Sequence, residues 1–334
     1  IGFESTAHYA LNLELFLENA HHSFMEVNPV LIKEYKKSTT LRRTKTDSVD
    51  CESIARWLMT VEYKPHSKGF YHAYSLKSLT RLRDRLIRQR SFYLVKITNV
   101  LDHTFPEFKP FFNERLSKTA LYLLENYGSA EKMARMNSAS YDKLRCISRG
   151  KFSIQQFLRL KELAANTVGV NNSIFDLELN TLLTLYKSLS DEINTLETEI
   201  IKLIEEVHPH YMSIPGIGPI SAAVIYAEYG DISNFSNPGQ MLAFAGIEPG
   251  INDSGTESHG GRMVKHGSSQ LRYVLLNSCL PLIRFDLTFA TYYAKKRAEG
   301  KKHRVAITHV AKKLIRVIYA LERQDVDFNV QKLR

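Results

Sequence analysis

Asp47 and Asp50 stand three residues apart in a stretch with helical spacing, which puts both carboxylates on one helix face about a turn apart. With Glu4 at the end of a short strand-like segment, the three form a candidate site for Mg²⁺, a hard cation that takes carboxylate oxygens and substrate phosphates. The plain alternative is a solvated helix face. A second chemical feature is Ser254, in the polar run Gly250-Ile251-Asn252-Asp253-Ser254-Gly255, a loop where a hydroxyl nucleophile can be approached closely. Its plain alternative is a turn. Arg262, Lys265 and Arg272 follow and suit a phosphate clamp, with His259 and His266 as further phosphate contacts. Upstream, Ile214-Pro215-Gly216-Ile217-Gly218-Pro219 precedes an apolar helix. This is a helix-hairpin-helix pattern, in which Gly216 and Gly218 let backbone N–H groups meet a phosphate at a helix N-terminus.

Positioning these groups takes several elements. Ile1–Phe3 reads as a strand, His8–Asn19 as an amphipathic helix and Phe24–Val27 as a second strand ending at Asn28-Pro29, an α/β opening. Residues 36–45 read as a basic loop feeding the helix of Asp47 and Asp50, and this region ends near residues 61–68. One long helix is expected over residues 75–101, where Lys77, Arg81, Arg83, Arg85, Arg88, Arg90 and Lys96 oppose only Asp84. That face can track phosphates, or it can be a solvated face whose Arg stems cover apolar surface. A second long helix, over residues 177–206, carries Leu182, Tyr186, Leu189, Ile193, Leu196, Ile200 and Leu203 as a heptad seam. The two long helices form either an antiparallel hairpin or an intersubunit coiled coil. A last helix opens with Lys295, Lys296, Arg297, Lys301, Lys302 and Arg304 and continues through Lys312, Lys313 and Arg316. Glu299 is the lone acid of that stretch, so nucleic acid is the favoured partner.

Composition agrees. The 334 residues carry 45 Lys plus Arg against 35 Asp plus Glu, a net charge of +10, and 44% are hydrophobic. The chain is therefore expected to fold, with roughly two domains, and to meet anionic partners. No apolar run approaches the roughly 18 residues of a membrane helix, so no membrane partner and a cytoplasmic location are expected. Cys51, Cys146 and Cys279 are too far apart for a zinc or disulfide pattern and are expected to be buried, reduced thiols. The opening residue is Ile1 rather than Met, which reads as a clipped chain.

In order and spacing, these segments resemble the DEDD-type transposases, or recombinases, of the insertion-sequence-110 family. The matching motifs are Gly2-Phe3-Glu4-Ser5-Thr6-Ala7-His8-Tyr9, Asn28-Pro29, Lys45-Thr46-Asp47-Ser48-Val49-Asp50, Phe105-Pro106-Glu107 and Ile214-Pro215-Gly216-Ile217-Gly218. They continue with Ala245-Gly246-Ile247-Glu248-Pro249, Ser254-Gly255, Lys265-His266-Gly267 and Leu271-Arg272, covering nearly the whole chain. The resemblance implies an α/β plus mainly α fold: a partial RuvC-like, RNase H-type domain over residues 1–68, a helical, coiled-coil region over 69–206, and a mostly helical C-terminal transposase domain with the helix-hairpin-helix over 207–334. It implies that Glu4, Asp47 and Asp50 are the second, third and fourth acids of a Mg²⁺ site whose first Asp lies upstream of Ile1. It also implies that Ser254 attacks DNA to form a phosphoserine intermediate, with Ser258 and Ser268 as rivals for that role. Homo-oligomers (a dimer or tetramer) and a structured guide RNA from the element come with it. Departures from the motif are Ala7 for Gly, Cys51 for Ala, and Val264-Lys265-His266-Gly267-Ser268 for Ser-Lys-x-Gly-Asn.

The expected function is thus a DNA transposase of an insertion sequence, with Arg262, Lys265, Arg272, Gly216, Gly218, Lys301, Lys302 and Arg304 on nucleic acid. The alternatives are a truncated, inactive nucleic-acid-binding remnant, and a metal-dependent junction nuclease that uses water.

Overall fold

The computed structural model describes residues 1–4, 8–39, 46–62, 70–113, 116–254 and 257–329. Motif positions Ser5-Thr6-Ala7, the cations Arg42, Arg43 and Lys45, the stretch 63–69 and Gly255 lie outside the described residues. The chain packs as two compact units, Ile1–Tyr71 and His72–Arg334.

In the first unit β1 (Gly2–Glu4) and β2 (Met25–Val27) pair in parallel, Gly2 opposite Met25 and Glu4 opposite Val27, joined by α1 (His8–Asn19). The α1 helix buries Ala10 and Leu17, and Phe3 stacks on Phe24 at 5.7 Å. Asn28 accepts from the Val30 N–H and Pro29 opens α2 (Pro29–Thr39). Lys36 and Lys37, expected in a loop, form the last turn of α2 instead, where cations suit the negative end of the helix dipole. Thr46 caps α3 (Asp47–Thr60) through its hydroxyl, and Leu58 of α3 closes over Gly2, whose missing Cβ leaves it room.

The second unit is helical. The long α4 (Phe70–Thr104) starts a turn earlier than the sequence pattern, and α5 (Phe108–Phe111), α6 (Lys118–Tyr127), α7 (Ala130–Ala134), α8 (Ser138–Ile147) and α9 (Ile154–Ala165) follow, four of them with Ser or Asn N-caps. The next long helix, α10 (Ser173–Val207), lies antiparallel to α4: Arg83 meets Glu197, and His103 stacks on Phe175. Between the two alternatives left open by the heptad seam, the chain makes this pairing within itself, with Ile193 and Ile200 buried. The α4–α10 pair joins two apolar clusters. One gathers Ile97, Leu101, Phe105, Phe108, Leu123, Leu124, Leu179 and Leu183. The other gathers Leu76, Ile200, Ile204 and Tyr211 with the helices of the C-terminal third.

That third comprises α11 (Pro219–Tyr229), α12 (Pro238–Ala245), the antiparallel strands β3 (Pro249–Ser254) and β4 (Glu257–Met263), then α13 (Ser269–Phe285), α14 (Leu287–Ala298) and α15 (His303–Gln324). Two expectations need correction. The loop around Ser254 is a strand pair, disguised by Gly, Asn, Asp and Ser residues that are poor strand formers. The last basic helix is two helices, because Gly300 takes φ +77° and turns the chain between α14 and α15. The cysteines also differ: Cys279 is buried, but Cys51 and Cys146 are exposed on helix faces.

Among the described residues, no single helix is long and apolar enough to cross a membrane. The consecutive α13 and α14 pass by length and composition only together, and they are bent by 107°.

Candidate functional site

Glu4 closes β1, half-buried, and Asp47 opens α3, exposed. Asp50, one turn along, is partly buried and holds the Lys36 ammonium of α2 against its Oδ1. Among the described residues, no group of three or more His, Cys, Asp or Glu is gathered so as to hold a metal ion. The donor chemistry suits a hard cation, but as they stand the three carboxylates are not gathered to hold one, and Asp50 is paired with Lys36.

The β3–β4 hairpin carries Ser254 at the end of β3, its Cα paired with Glu257, and Ser258 paired with Asp253. Arg262 lies on β4. The base of this hairpin is pinned where two chain segments cross. Gly267 passes so close to α12 that a Cβ there would fall 2.3 Å from the Phe244 carbonyl oxygen and 2.6 Å from the Gly246 nitrogen. Gly246, at φ +65°, ends α12 in the left-handed region. Val264 N–H donates to the Glu248 carbonyl at 2.8 Å and Ser268 N–H to that of Phe244 at 3.1 Å. Arg272, expected at a phosphate, spends Nη1 on the Ala245 carbonyl at 3.2 Å and braces the same crossing. Ser268, a rival nucleophile, has its hydroxyl committed as the cap of α13, accepting from the Leu271 N–H at 3.2 Å. Lys265 and His266 are exposed on the connection beyond the hairpin.

The two glycines of the Pro-Gly-Ile-Gly turn do different things. Gly216, at φ +98°, packs on α13, where a Cβ would lie 2.9 Å from the Leu282 nitrogen and 3.0 Å from Pro281 Cγ. Gly218 caps α11 with open space where its Cβ would be, so it is the one with room for a ligand. Pro219 at the first position of α11 has no N–H to offer.

Glu228, near the end of α11, carried no signal in the sequence. It is buried, and both its oxygens take the Arg81 guanidinium of α4, Nε at 2.9 Å and Nη2 at 3.1 Å. Burial works against the charged form, but the hydrogen bond from Arg81 and the charges of Lys77 and Arg81 outweigh it, and the carboxyl is held below its usual range. The Ser268 hydroxyl adds a further bond. One carboxylate thus ties α4, α11 and the start of α13 together.

The cations of α4 are largely engaged. Arg81 holds Glu228, Arg83 holds Glu197, Arg88 holds Asp84, and Lys96 lies over the Phe92 ring. The α14–α15 turn is more open: Lys301, Lys302 and Arg304 are exposed, while Lys296 pairs with Glu299. Beside it, burial first and then the charges of Lys312, Lys296 and Lys301 push His309 below its ordinary value.

Lys301, Lys302 and Arg304 thus give the second unit an exposed cationic turn, a surface whose charge suits polyanions. The family model described as "Transposase IS116/IS110/IS902 family" matches residues 209–294, and a second, DEDD_Tnp_IS110, described as "Transposase", matches residues 1–106. The chain belongs to this insertion-sequence transposase family. It is similar to the 43.6 kDa protein of insertion element IS110 from Streptomyces coelicolor, 29% identical over 68% of this chain and 58% of that one. The 42 kDa protein of IS900 from Mycobacterium paratuberculosis is 28% identical over 84% of this chain and 71% of its own length. The transposase for element IS1111A from Coxiella burnetii is 25% identical, over 77% and 59%. The match therefore spans less than two thirds of the Streptomyces and Coxiella proteins.

Proposed function

We propose that the chain is the catalytic protein of an insertion sequence, cutting and rejoining DNA with Ser254 as nucleophile. The observation that carries this reading is the hairpin of β3 and β4: a serine at a strand end, held by a backbone crossing that only glycine permits, in the stretch matched by the transposase family. The seryl Oγ–phosphorus bond forms as one phosphorus–oxygen bond to deoxyribose breaks, and the leaving hydroxyl takes up a proton. Attack by the hydroxyl of a second strand on the phosphoserine reverses the step and joins the new strand without an energy source. Arg262 and Lys265 are assigned to the phosphate beside Ser254, and Arg272 to the same region as a brace. Gly218 with the helix-hairpin-helix turn, and Lys301, Lys302 and Arg304, are assigned to backbone phosphates farther along.

The same reading gives the first unit a partial RuvC-like fold, makes the α4–α10 pair a coiled-coil insertion, and has copies associate as a dimer or tetramer. It places the protein in the bacterial or archaeal cytoplasm on the nucleoid, with a structured RNA choosing the site. Glu4, Asp47 and Asp50 are its assigned Mg²⁺ carboxylates, and they need rearrangement or a further ligand before they hold the ion. The test is a denaturant-resistant protein–DNA adduct, formed by the chain on DNA spanning an element end and absent from Ser254→Ala.

A second reading, a nucleic-acid-binding remnant without turnover, is favoured by the scattered carboxylates. It expects salt-sensitive DNA binding with no adduct on any substrate.

A further inference from the structure

The α15 helix ends at Asp325, whose φ of +55° sends the chain back across its own last turns. Residues 326–329 then run as a strap. Val326 and Phe328 pack on the C-terminal apolar cluster, and the Phe328 N–H donates to Ser213 Oγ at 2.8 Å. The His210 ring clamps it: Nδ1 lies 2.9 Å from Asp327 and Nε2 2.9 Å from Asp325. Both contacts are hydrogen bonds when the ring is doubly protonated, and Glu322 of α15 sits beside it, accepting from the Tyr211 N–H.

Strap, α14 and α15 enclose a cleft of about 510 Å³. That is the size of a small-ligand site, roughly 300–1,000 Å³, and far too small for a duplex. Its walls include the Phe328 ring, the Gln324 amide, the cations Lys313 and Arg316, and the Tyr292 ring, over which Lys296 and Lys313 lie. Lys313 is held at 5.2 Å from the centroids of both the Phe289 and Tyr292 rings. The acid in the wall, Asp327, is turned to His210, so the cleft keeps a positive balance.

The geometry points to a binding site for one unpaired nucleotide: its base against the Phe328 ring, its base edge on the Gln324 amide, and its phosphate on Arg316 and Lys313. Each part of the wall matches one part of that ligand. Aromatic faces stack any base, side-chain amides read base edges, and guanidinium and ammonium groups take phosphate. The cleft lies away from the Ser254 hairpin in sequence, and its occupant is an unpaired base of a strand engaged elsewhere on the protein. This inference rests on the nucleic-acid reading above.

The test is photo-cross-linking of the full chain to ten-nucleotide single strands carrying one 4-thiothymidine (DNA arm) or one 4-thiouridine (RNA arm), with the attached peptide mapped by mass spectrometry. Attachment at Tyr292 or within residues 324–329, in either arm, is expected, and the stronger arm names the source. Phe328→Leu keeps the apolar packing and removes the stacking face, and it should cut the yield about tenfold, as loss of one stacked base does. Strands that bind but attach only outside the cleft, or a yield unchanged in Phe328→Leu, overturn the site and leave the nucleic-acid reading standing. Failure of both the strands and duplex DNA to bind overturns the two together.

Discussion

The Arg81 guanidinium grips both oxygens of Glu228 across 147 residues of sequence, and through that carboxylate the basic helix α4 is fastened to the helix that follows the Pro-Gly-Ile-Gly turn. The pair is buried on the Glu228 side and half-open on the Arg81 side. Removing Arg81 therefore strands a buried charge. Arg81→Met should cost about 1–3 kcal/mol in urea unfolding, and Arg81→Met with Glu228→Met together should cost less than the single change. Equal or additive losses would contradict the coupling.

Gly267 is the tightest point beneath the Ser254 hairpin. Gly267→Ala drives a methyl into the Phe244 carbonyl and should cost about 1–3 kcal/mol by denaturant unfolding. Where the protein still folds, its DNA adduct should fall more steeply than its DNA affinity, because the hairpin moves while the cationic surfaces do not. Parallel loss of both would show the crossing to be structural only.

Burial in the first unit, reinforced by Glu26 and Glu18, pushes Glu14 up to about 7 from an ordinary 4.5. Its folded state prefers the neutral acid, so stability is full below about 4.5. It falls as pH rises toward 7, where the unfolded chain ionises first. Hydrogen exchange of residues 8–39 should quicken across that window, and Glu14→Gln should flatten the dependence.

His210 works with the opposite sign. Its hydrogen bonds to Asp327 and Asp325 raise it above 6.5, so the clamp's stabilisation is full below 6.5 and is lost as pH climbs through the raised value. Amides of residues 326–329 should become exchange-labile there, and His210→Ala should make them so at every pH. Protection indifferent to both would remove the clamp from the account.

How much of this was legible in sequence follows from the range of the interactions. Local signals carried far: the α1 helix runs His8–Asn19 as its periodicity requires, and β2 stops before Asn28-Pro29, where a helix opens in place of the expected turn. The Arg81–Glu228 and Arg83–Glu197 pairs were invisible, because each joins residues more than a hundred apart, and α4 therefore read as an open cationic face. The β3–β4 hairpin was hidden by its glycines and short polar residues, which signal turns, while the close approach of Gly246 and Gly267 at its base is a contact that no motif displays. Arg272 read as a phosphate ligand for the same reason, since its partner, the Ala245 carbonyl, is a backbone atom that no motif displays.

The most direct measurement is to digest the protein–DNA adduct with nuclease and protease and to find, by mass spectrometry, the residue that carries the nucleotide. A nucleotide phosphate is expected on Ser254, with none on Ser258 or Ser268. A nucleotide on either rival serine, or strand joining with no seryl adduct at all, would contradict it.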